Sequence, residues 1–168
     1  MSAFWRRNRR LIFALAGFAL LCLLLNRFAF HTVRIEGQSM ADSLRGGEIA
    51  FVTRFDYLFG RAPKRGDVVE CSFPGRGGVY VKRVIGLPGE RVEIRDGRTW
   101  IDGEPLSEPY ATGPSEDYSA ALGPDEYLVL GDNRAESYDS RAPEMGFIRG
   151  ENMLGRVRFV LWPLRKIS

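Results

Sequence analysis

The pattern of hydrophobic positions changes sharply near residue 30. Residues 11–25, LIFALAGFALLCLLL, are apolar and carry no charge, whereas the rest of the chain alternates short apolar runs with turn-forming residues. Fifteen helical residues span about 22 Å, and continuing through Asn26 and Arg27 to Phe30 brings the length close to the roughly 30 Å hydrocarbon core of a bilayer. The pattern therefore predicts a transmembrane helix over residues 11–30.

The residues before this run set its expected orientation. Four arginines, Arg6, Arg7, Arg9 and Arg10, lie within residues 1–10. Basic flanks stay in the cytoplasm, so residues 31–168 are expected on the outer face of the cytoplasmic membrane. A cleavable signal peptide has the same basic and apolar layout. The following LLLNRFAF has no clear pair of small residues for cleavage, which favours a retained signal anchor.

The remaining residues, 31–168, are typical of a mainly β domain. Segments rich in β-branched and aromatic residues are bounded by Gly, Pro, Asp and Asn, and no amphipathic helix interrupts them. The segments are HTVRIEG, GEIAFVTRF, GDVVECSF, GVYVKRVIGL, RVEIRDGRTWIDG, EYLVLGD and MLGRVRFVLW. IRDGRTWIDGEPL predicts a hairpin with Asp96-Gly97 as its tight turn. Residues 104–125, rich in Pro, Gly, Ser and acids, predict a long connection or the rim of a small subdomain.

Composition and charge exclude several classes of protein. The net charge is +3 in 168 residues, and the four N-terminal arginines account for it. The β domain therefore has no basic stripe of the kind that nucleic-acid binding requires. One histidine and two cysteines, Cys22 in the apolar run and Cys71 beyond it, are too few for a zinc site and too far apart for a disulfide. Neither a metal nor a cofactor is expected.

Candidate chemistry begins with the serine of GQSMADSL. Ser39 is a candidate nucleophile, and a serine hydroxyl needs a nearby base. His31, the one histidine, falls at the membrane exit and is interpreted as a bystander. Arginine does not lose its proton in proteins, so the possible bases are Lys64, Lys82 and Lys166.

Among these lysines, only Lys82 lies in a predicted strand. Period-two alternation places Tyr80, Lys82 and Val84 on one face. Burial against those neighbours would lower the lysine pKa and produce a neutral amine that acts as a general base. The alternative is an edge-strand lysine whose stem covers apolar surface while its head reaches water. The pattern alone favours this alternative.

The third candidate stretch is GDNRAESYDSR, residues 131–141, directly after the strand EYLVL. It contains Asp132, Asn133, Arg134, Ser137, Asp139, Ser140 and Arg141. Such a loop is either a solvated turn held by Asp–Arg pairs or the wall of a catalytic site. The pattern leaves both open.

Together these stretches resemble the type I signal peptidases, which are membrane-bound serine–lysine endopeptidases. SMADSL resembles the family's Ser-Met-x-Pro-Thr-Leu box, and RGDVV its Gly-Asp strand. YVKRVIGLPGE resembles the lysine box, GDNRAESYDSR the final box, and GFIRGENMLGRVRFVLWP the closing strand. The resemblance runs in pieces from about residue 35 to 163.

The resemblance implies roles for individual residues. Ser39 matches the nucleophile, Lys82 the general base, and Ser137 the serine that orients the lysine. In the final loop, Asp132, Asp139 and Arg141 match the charged residues that hold that loop in place in the family. Met40 and Val81 match positions that line the pocket for the residue before the cut. The implied fold is an all-β catalytic core with a variable β insertion at residues 90–125, without a metal or cofactor.

The resemblance also implies an activity: removal of N-terminal signal peptides from exported preproteins after a small-x-small sequence. The expected partners are these signal peptides and membrane lipid. Two close alternatives remain. One is a specialised relative that matures a single pilin during conjugation, and the other is an inactive anchored scaffold. A self-cleaving repressor shares the chemistry but has no anchor.

Two positions depart from the family pattern. Asp42 and Ser43 stand where the family has proline and threonine. A carboxylate near Lys82 would raise the lysine pKa, so activity requires Asp42 to point away. Gly37 stands where some members have a serine in the oxyanion hole, and the hole is then expected to use backbone N–H groups, including that of Ser39.

Overall fold

The structure, a computed structural model, describes residues 3–41, 43–57 and 61–167. It begins with one helix, α1 (Ala3–Ala29), which continues directly into the first strand, β1 (Phe30–Arg34). The predicted apolar helix over residues 11–30 thus corresponds to the later part of α1, and Phe30 belongs to the sheet. Over the part of the chain that is described, no helix meets the length and apolarity needed to cross a membrane.

Beyond α1 the fold is mainly β, as the sequence predicts. The larger sheet has seven strands in the order β1-β2-β10-β3-β4-β9, with β11 paired to β10, and all pairs are antiparallel. Its further strands are β2 (Ile49–Thr53), β3 (Val68–Cys71), β4 (Tyr80–Gly86), β9 (Leu128–Leu130), β10 (Met153–Trp162) and β11 (Arg165–Lys166). A 3₁₀ turn at Gly150–Asn152 precedes β10.

The smaller sheet lies between β4 and β9 in the chain. Its four strands, in the order β7-β6-β5-β8, are β5 (Arg91–Arg95), β6 (Arg98–Ile101), β7 (Glu104–Pro105) and β8 (Tyr118–Ala121). The predicted hairpin joins β5 to β6. Asp96 and Gly97 both have positive φ, 51° and 69°, the conformation that two-residue hairpin turns require.

The larger sheet curls so that its two distant strands β1 and β4 face one another. Strand β1 is at one end of the strand order, yet the His31 ring on β1 contacts the Glu70 carboxylate on β3 at 2.7 Å. An apolar core fills the inside of the curl. Its buried residues are Ile35, Met40, Leu44, Ala50, Val52, Val68, Val157 and Val160.

The curl leaves two strand edges opposite each other. Within the described residues, β1 pairs only with β2, and β4 pairs with β9 only from Arg83 onward. Tyr80, Val81 and Lys82 therefore have a strand partner on the β3 side alone. The space between these edges is where the candidate site lies.

Candidate active site

Ser39 lies in the turn that follows β1 and is held against the loop after β9. The Ser39 carbonyl accepts a hydrogen bond from the Asn133 backbone N–H at 3.1 Å, and the Gln38 carbonyl accepts one from Asn133 Nδ2 at 3.3 Å. Gly37 begins the turn with φ +78°, in the left-handed region that favours glycine. A serine at position 37 would be strained in this conformation, so the glycine has a backbone role of its own.

Lys82 is buried, with a residue exposure of 3%. At Lys82 strand β4 has no partner on the β9 side, as the edge-strand interpretation expects, but the lysine head does not reach water, so that part of the interpretation is wrong. The reason is tertiary, because the loop at residues 131–141 covers the end of the lysine. Burial lowers the pKa of Lys82 below its usual value, although the nearby Asp139 carboxylate acts in the opposite direction.

The Lys82 amine is oriented by a serine. Lys82 Nζ donates to Ser137 Oγ at 3.1 Å, and the same oxygen accepts the Gly131 N–H at 3.1 Å. The Ser137 side chain also hydrogen-bonds Asp139. Because the carboxylate only accepts, the hydroxyl proton points to Asp139 and both oxygen lone pairs remain for the two N–H donors. The amine is thereby held in one direction.

Asp139 in turn is fixed by an arginine. Arg141 Nε donates to one carboxylate oxygen of Asp139 at 2.8 Å and Arg141 Nη2 to the other at 2.9 Å. Burial would raise the pKa of Asp139, but the hydrogen bond and charge of Arg141 outweigh it and hold the pKa below its usual value. Arg141 Nη2 also donates to the carbonyls of Arg134 and Ser137. Three of the predicted final-box residues, Ser137, Asp139 and Arg141, therefore form one connected network with Lys82.

Asp132 belongs to a second buried ion pair, with an arginine that the sequence analysis missed. Its carboxylate accepts from Arg83 Nε at 2.8 Å and from Arg83 Nη2 at 2.6 Å. The Arg83 guanidinium also donates to the Gly66 carbonyl and lies 3.9 Å from the Tyr110 ring centroid. The signal was available, since Arg83 alternates with Lys82 and must occupy the opposite face of β4.

Glu108 was missed as well. Both of its carboxylate oxygens accept from Arg134, at 3.2 and 2.6 Å, and Arg134 also donates to Thr99 Oγ1 on β6. This contact braces the loop at residues 131–141 against the smaller sheet. Glu108 lies in the Pro- and Ser-rich stretch, where composition carries no positional signal, so the sequence alone could not have identified it.

Ser39 and Lys82 line a common cavity of about 260 Å³ between β1 and β4. The cavity is lined by Val33, Arg34, Ile35, Glu36, Ser39, Met40, Val79, Tyr80, Val81 and Lys82. The two predicted pocket residues, Met40 and Val81, are thus beside the two candidate catalytic residues. His31 is not among the lining residues, and its ring contacts Glu70 instead.

A larger depression of about 670 Å³ lies on the other side of the loop and includes Ser137 in its wall. Its arginines, Arg134 and Arg141, are already engaged with Glu108 and Asp139. The smaller cavity, which holds both Ser39 and Lys82, is therefore the candidate site.

Of the two departures in the serine box, Ser43 is buried with Oγ 3.3 Å from Arg83 Nη2, and Asp42 lies outside the described residues.

The site contains the groups needed for nucleophilic catalysis. Ser39 and a buried lysine of lowered pKa line one cavity. A neutral amine accepts a proton, which is what a serine hydroxyl must lose when it attacks a carbonyl carbon. The arrangement is therefore suited to acyl transfer.

Comparisons with known proteins agree with this chemistry. The sequence model of the family described as signal peptidase, peptidase S26, matches residues 8–162. Signal peptidase I of Leptolyngbya laminosa is 35% identical over 161 residues, covering 88% of this chain and 76% of the relative. Signal peptidase I T of Bacillus subtilis (strain 168) is 34% identical over 160 residues, covering 88% and 82%.

A solved structure is also similar. A signal peptidase I from Enterococcus faecalis V583 superposes with a TM-score of 0.52 at 33% identity, covering 57% of this chain and 97% of that one. The family match spans nearly the whole chain and includes Ser39, Lys82 and the loop at residues 131–141. This chain belongs to the signal peptidase family, peptidase S26.

Proposed function

We propose that this chain is a signal peptidase I, which removes N-terminal signal peptides from exported preproteins by cutting after a small-x-small sequence. The observation that carries the proposal is the pairing of Ser39 with a buried, pKa-lowered Lys82 in one cavity. Family membership and the relatives named signal peptidase I support the substrate class.

In the proposed mechanism, Lys82 is the general base and Ser39 the nucleophile. The neutral amine of Lys82 takes the Ser39 proton as Ser39 Oγ bonds to the carbonyl carbon of the residue before the cut. The resulting ammonium then gives its proton to the leaving amine, and the peptide bond breaks. Water, activated by the same amine, hydrolyses the acyl-enzyme. Ser137 holds Lys82 throughout through the 3.1 Å hydrogen bond.

The oxyanion that forms on the carbonyl requires donors. We assign this role to backbone N–H groups of the turn at Gly37 and Ser39. Glycine at position 37 adopts φ +78°, which shapes the turn and supplies no side-chain donor. Oxyanion holes built from backbone groups stabilise the transition state without any reorganisation during the reaction.

The substrate is expected to enter as an extended strand. The cavity lies between the edge of β1 and the first half of β4, so a peptide placed there would form backbone hydrogen bonds to both. Met40 and Val81 line the part of the cavity that accepts the last residue before the cut. Their apolar side chains favour a small apolar residue, in keeping with the proposed small-x-small sequence.

We further assign residues 1–10 to the cytoplasm, 11–30 to a retained transmembrane anchor and 31–168 to the outer face, with 90–125 as a variable insertion. The assignment of an insertion is supported by the smaller sheet, whose four strands, from Arg91 to Ala121, all lie between β4 and β9 in the chain. The anchor is supported by the later part of α1, where most of the large apolar side chains between Leu11 and Leu24 are exposed. A row of exposed apolar side chains favours an apolar environment, which membrane lipid would provide.

The test uses the full chain in detergent with a preprotein bearing Ala-x-Ala. Ser39→Ala and Lys82→Ala should each abolish cleavage, while Lys64→Ala, an exposed lysine, should cut like the parent. Mass spectrometry of the product should place the new N-terminus directly after the second alanine. A parent protein that binds signal peptides but releases no product would favour the inactive scaffold instead, and Asp42→Pro then tests whether the aspartate is responsible. Cleavage of one pilin alone would favour the specialised relative.

A further inference from the structure

The connection between β7 and β8 lies against the loop at residues 131–141. The Thr112 N–H donates to the Asp132 carbonyl, and the Thr112 carbonyl accepts from the Arg134 N–H, both at 2.8 Å. We call residues 108–115 of this connection the strap. The sequence predicts this part of the chain only as a long connection or a subdomain rim, so its direct attachment to the loop requires an explanation.

One end of the strap holds the beginning of the loop through an ion pair. Glu108 and Arg134 are both buried, with side-chain exposures of 7% and 4%. Arg134 Nε also donates to the Gly131 carbonyl at 3.1 Å. The Gly131 N–H donates to Ser137 Oγ, the atom that accepts from Lys82 Nζ. Glu108 is thus connected to the lysine amine through three residues of the loop.

The other end of the strap holds the end of the loop. Ser115 Oγ accepts a hydrogen bond from Arg141 Nη1 at 2.9 Å. Arg141 Nε and Nη2 donate to the two carboxylate oxygens of Asp139, which also hydrogen-bonds the Ser137 side chain. The two ends of the strap therefore reach Ser137 by two separate routes, one through Gly131 and one through Asp139.

The middle of the strap contacts the residue that follows Lys82 on β4. The Tyr110 ring centroid lies 3.9 Å from the Arg83 guanidinium, and the Tyr110 hydroxyl is 3.2 Å from a carboxylate oxygen of Glu108. Glu108 thus holds Tyr110 on its own strap and Arg134 on the loop at the same time. Hydrogen bonds to a charged carboxylate are stronger than those between neutral groups, so this carboxylate is a firm point of attachment.

We propose that the strap positions the general base, and that Glu108 and Ser115 are positioning residues that act on the Lys82 amine through the loop. This inference rests on the proposed function. Part of the insertion then fixes the direction of the amine from outside the larger sheet. The cavity that would take the peptide is lined by other segments of the chain. The strap should therefore affect the chemical step and not the binding of substrate.

The test uses the full chain in detergent and measures kcat and KM for a preprotein bearing Ala-x-Ala. Glu108→Gln should lower kcat about tenfold with KM unchanged, since even small displacements of reacting groups are costly. Ser115→Ala, which removes one hydrogen bond, should lower kcat about threefold. Glu104→Gln and Ser107→Ala make the same changes at exposed positions nearby and should match the parent.

The pH dependence of kcat/KM adds a readout that a purely structural contact would not change. Activity falls as the pH drops below the pKa of the base, because the amine must be neutral to accept a proton. A loosened loop lets water reach the amine and reduces the effect of burial, the main cause of its lowered pKa. The pKa should therefore rise, and the acidic limb should move to higher pH in both strap variants. The titratable and charged groups that act on Lys82 are Asp132, Asp139 and Arg141 on the loop and Cys71 on β3, and none of them is substituted.

The outcomes separate this inference from the proposed function. A parent protein that does not cut Ala-x-Ala contradicts the proposed function, and the inference fails with it. If the parent cuts and both strap variants keep its kcat and its acidic limb, the inference alone is overturned, even where their Tm is lower. A raised KM with unchanged kcat would place the strap in substrate binding and would overturn it as well. If Glu108→Gln does not fold, Ser115→Ala decides by the same criteria.

Discussion

At the scale of single residues, the central feature is a lysine whose environment opposes its charge. The Lys82 amine is buried, and desolvation is the main cause of its lowered pKa. Such a lysine is costly for the fold, because the unfolded chain binds its proton more tightly than the folded one. Residues held at active sites often carry such a cost in stability.

This cost gives a prediction for Lys82→Met, which keeps a long side chain but removes the charge. Between the folded pKa and the higher unfolded pKa, the unfolded state binds more protons, so the parent protein gains stability as pH rises. The variant lacks this dependence. It should be more stable than the parent near neutral pH by about 1 kcal/mol, or about 2–4 °C in Tm.

Thermal unfolding from pH 6 to pH 10 measures the difference, which should be largest at the acidic end and should shrink as the pH approaches the value for an unperturbed lysine, about 10.4. Lys64→Met is the matched control, since Lys64 is exposed and should show no such trend. A Tm of Lys82→Met below that of the parent at every pH would contradict a folded-state cost for the buried amine.

At the scale of elements, the site depends on how closely the loop after β9 approaches the turn after β1. A methyl group built on Gly131 would lie under 3.0 Å from Ser137 Oγ, the Ser39 carbonyl oxygen and Ser137 Cβ. Gly131 therefore allows two chain segments that are distant in sequence to bring the serine hydroxyl and the lysine amine into one cavity. The backbone N–H of Gly131 adds hydrogen bonds to Ser137 and Asp139.

We expect Gly131→Ala to push these two segments apart. The added methyl should cost about 1–3 kcal/mol of stability, as overpacking typically does. Activity should fall further, on the order of 10²-fold in kcat/KM, because displacement of reacting groups by about 1 Å is enough for such a loss. Gly77→Ala serves as the control, since a methyl at that position meets nothing within 4 Å.

Both quantities are measured on the same preparations, by thermal unfolding and by the rate of preprotein cleavage. Normal cleavage by Gly131→Ala would show that the close approach of the two segments is not required. Equal losses in Gly77→Ala would show that glycine content, and not this contact, is responsible.

At the scale of the whole molecule, α1 and the β domain are joined by a direct continuation of the chain. The helix ends at Ala29, whose carbonyl accepts a hydrogen bond from the Arg54 N–H at 2.9 Å just after β2. Most of the large apolar side chains between Leu11 and Leu24 are exposed, among them Leu15 at 60% and Leu20 at 58%. The helix is thus available to lipid while its end is attached to the sheet.

If α1 is a membrane anchor, two charges in its apolar run should weaken that attachment. Each arginine near the centre of a membrane helix costs about 2.5–3.5 kcal/mol on insertion scales. Leu15→Arg combined with Leu20→Arg should therefore make the protein extractable from membranes by alkaline carbonate. The Tm of the β domain in detergent should not change, because these side chains are exposed.

The matched control adds the same two charges at exposed neutral positions of the β domain, Ser107→Arg with Ala121→Arg. This variant should remain in the membrane fraction after carbonate treatment. Retention of the doubly substituted helix in the membrane to the same extent would contradict the anchor.

The sequence by itself located most of the strands, although not β8 (Tyr118–Ala121) in the stretch predicted as a connection, and it singled out the candidate reactive groups. Period-two alternation and turn residues located the strand segments and the Asp96-Gly97 hairpin, because both signals are local in the chain. The scarcity of histidine and lysine reduced the candidate bases for Ser39 to three. The motifs around Ser39, Lys82 and residues 131–141 indicated the family.

Only the tertiary structure decided whether these groups meet in a working environment. Alternation shows which face of β4 carries Lys82, but not that neighbouring strands and a distant loop cover that face. The pattern therefore favoured an exposed Lys82 amine, which is wrong. The partners of Asp132 and Arg134 likewise come from strands and loops far away in the sequence. Burial, ion pairing and the cavity between β1 and β4 arise from the curl of the sheet, a long-range property that no local pattern encodes.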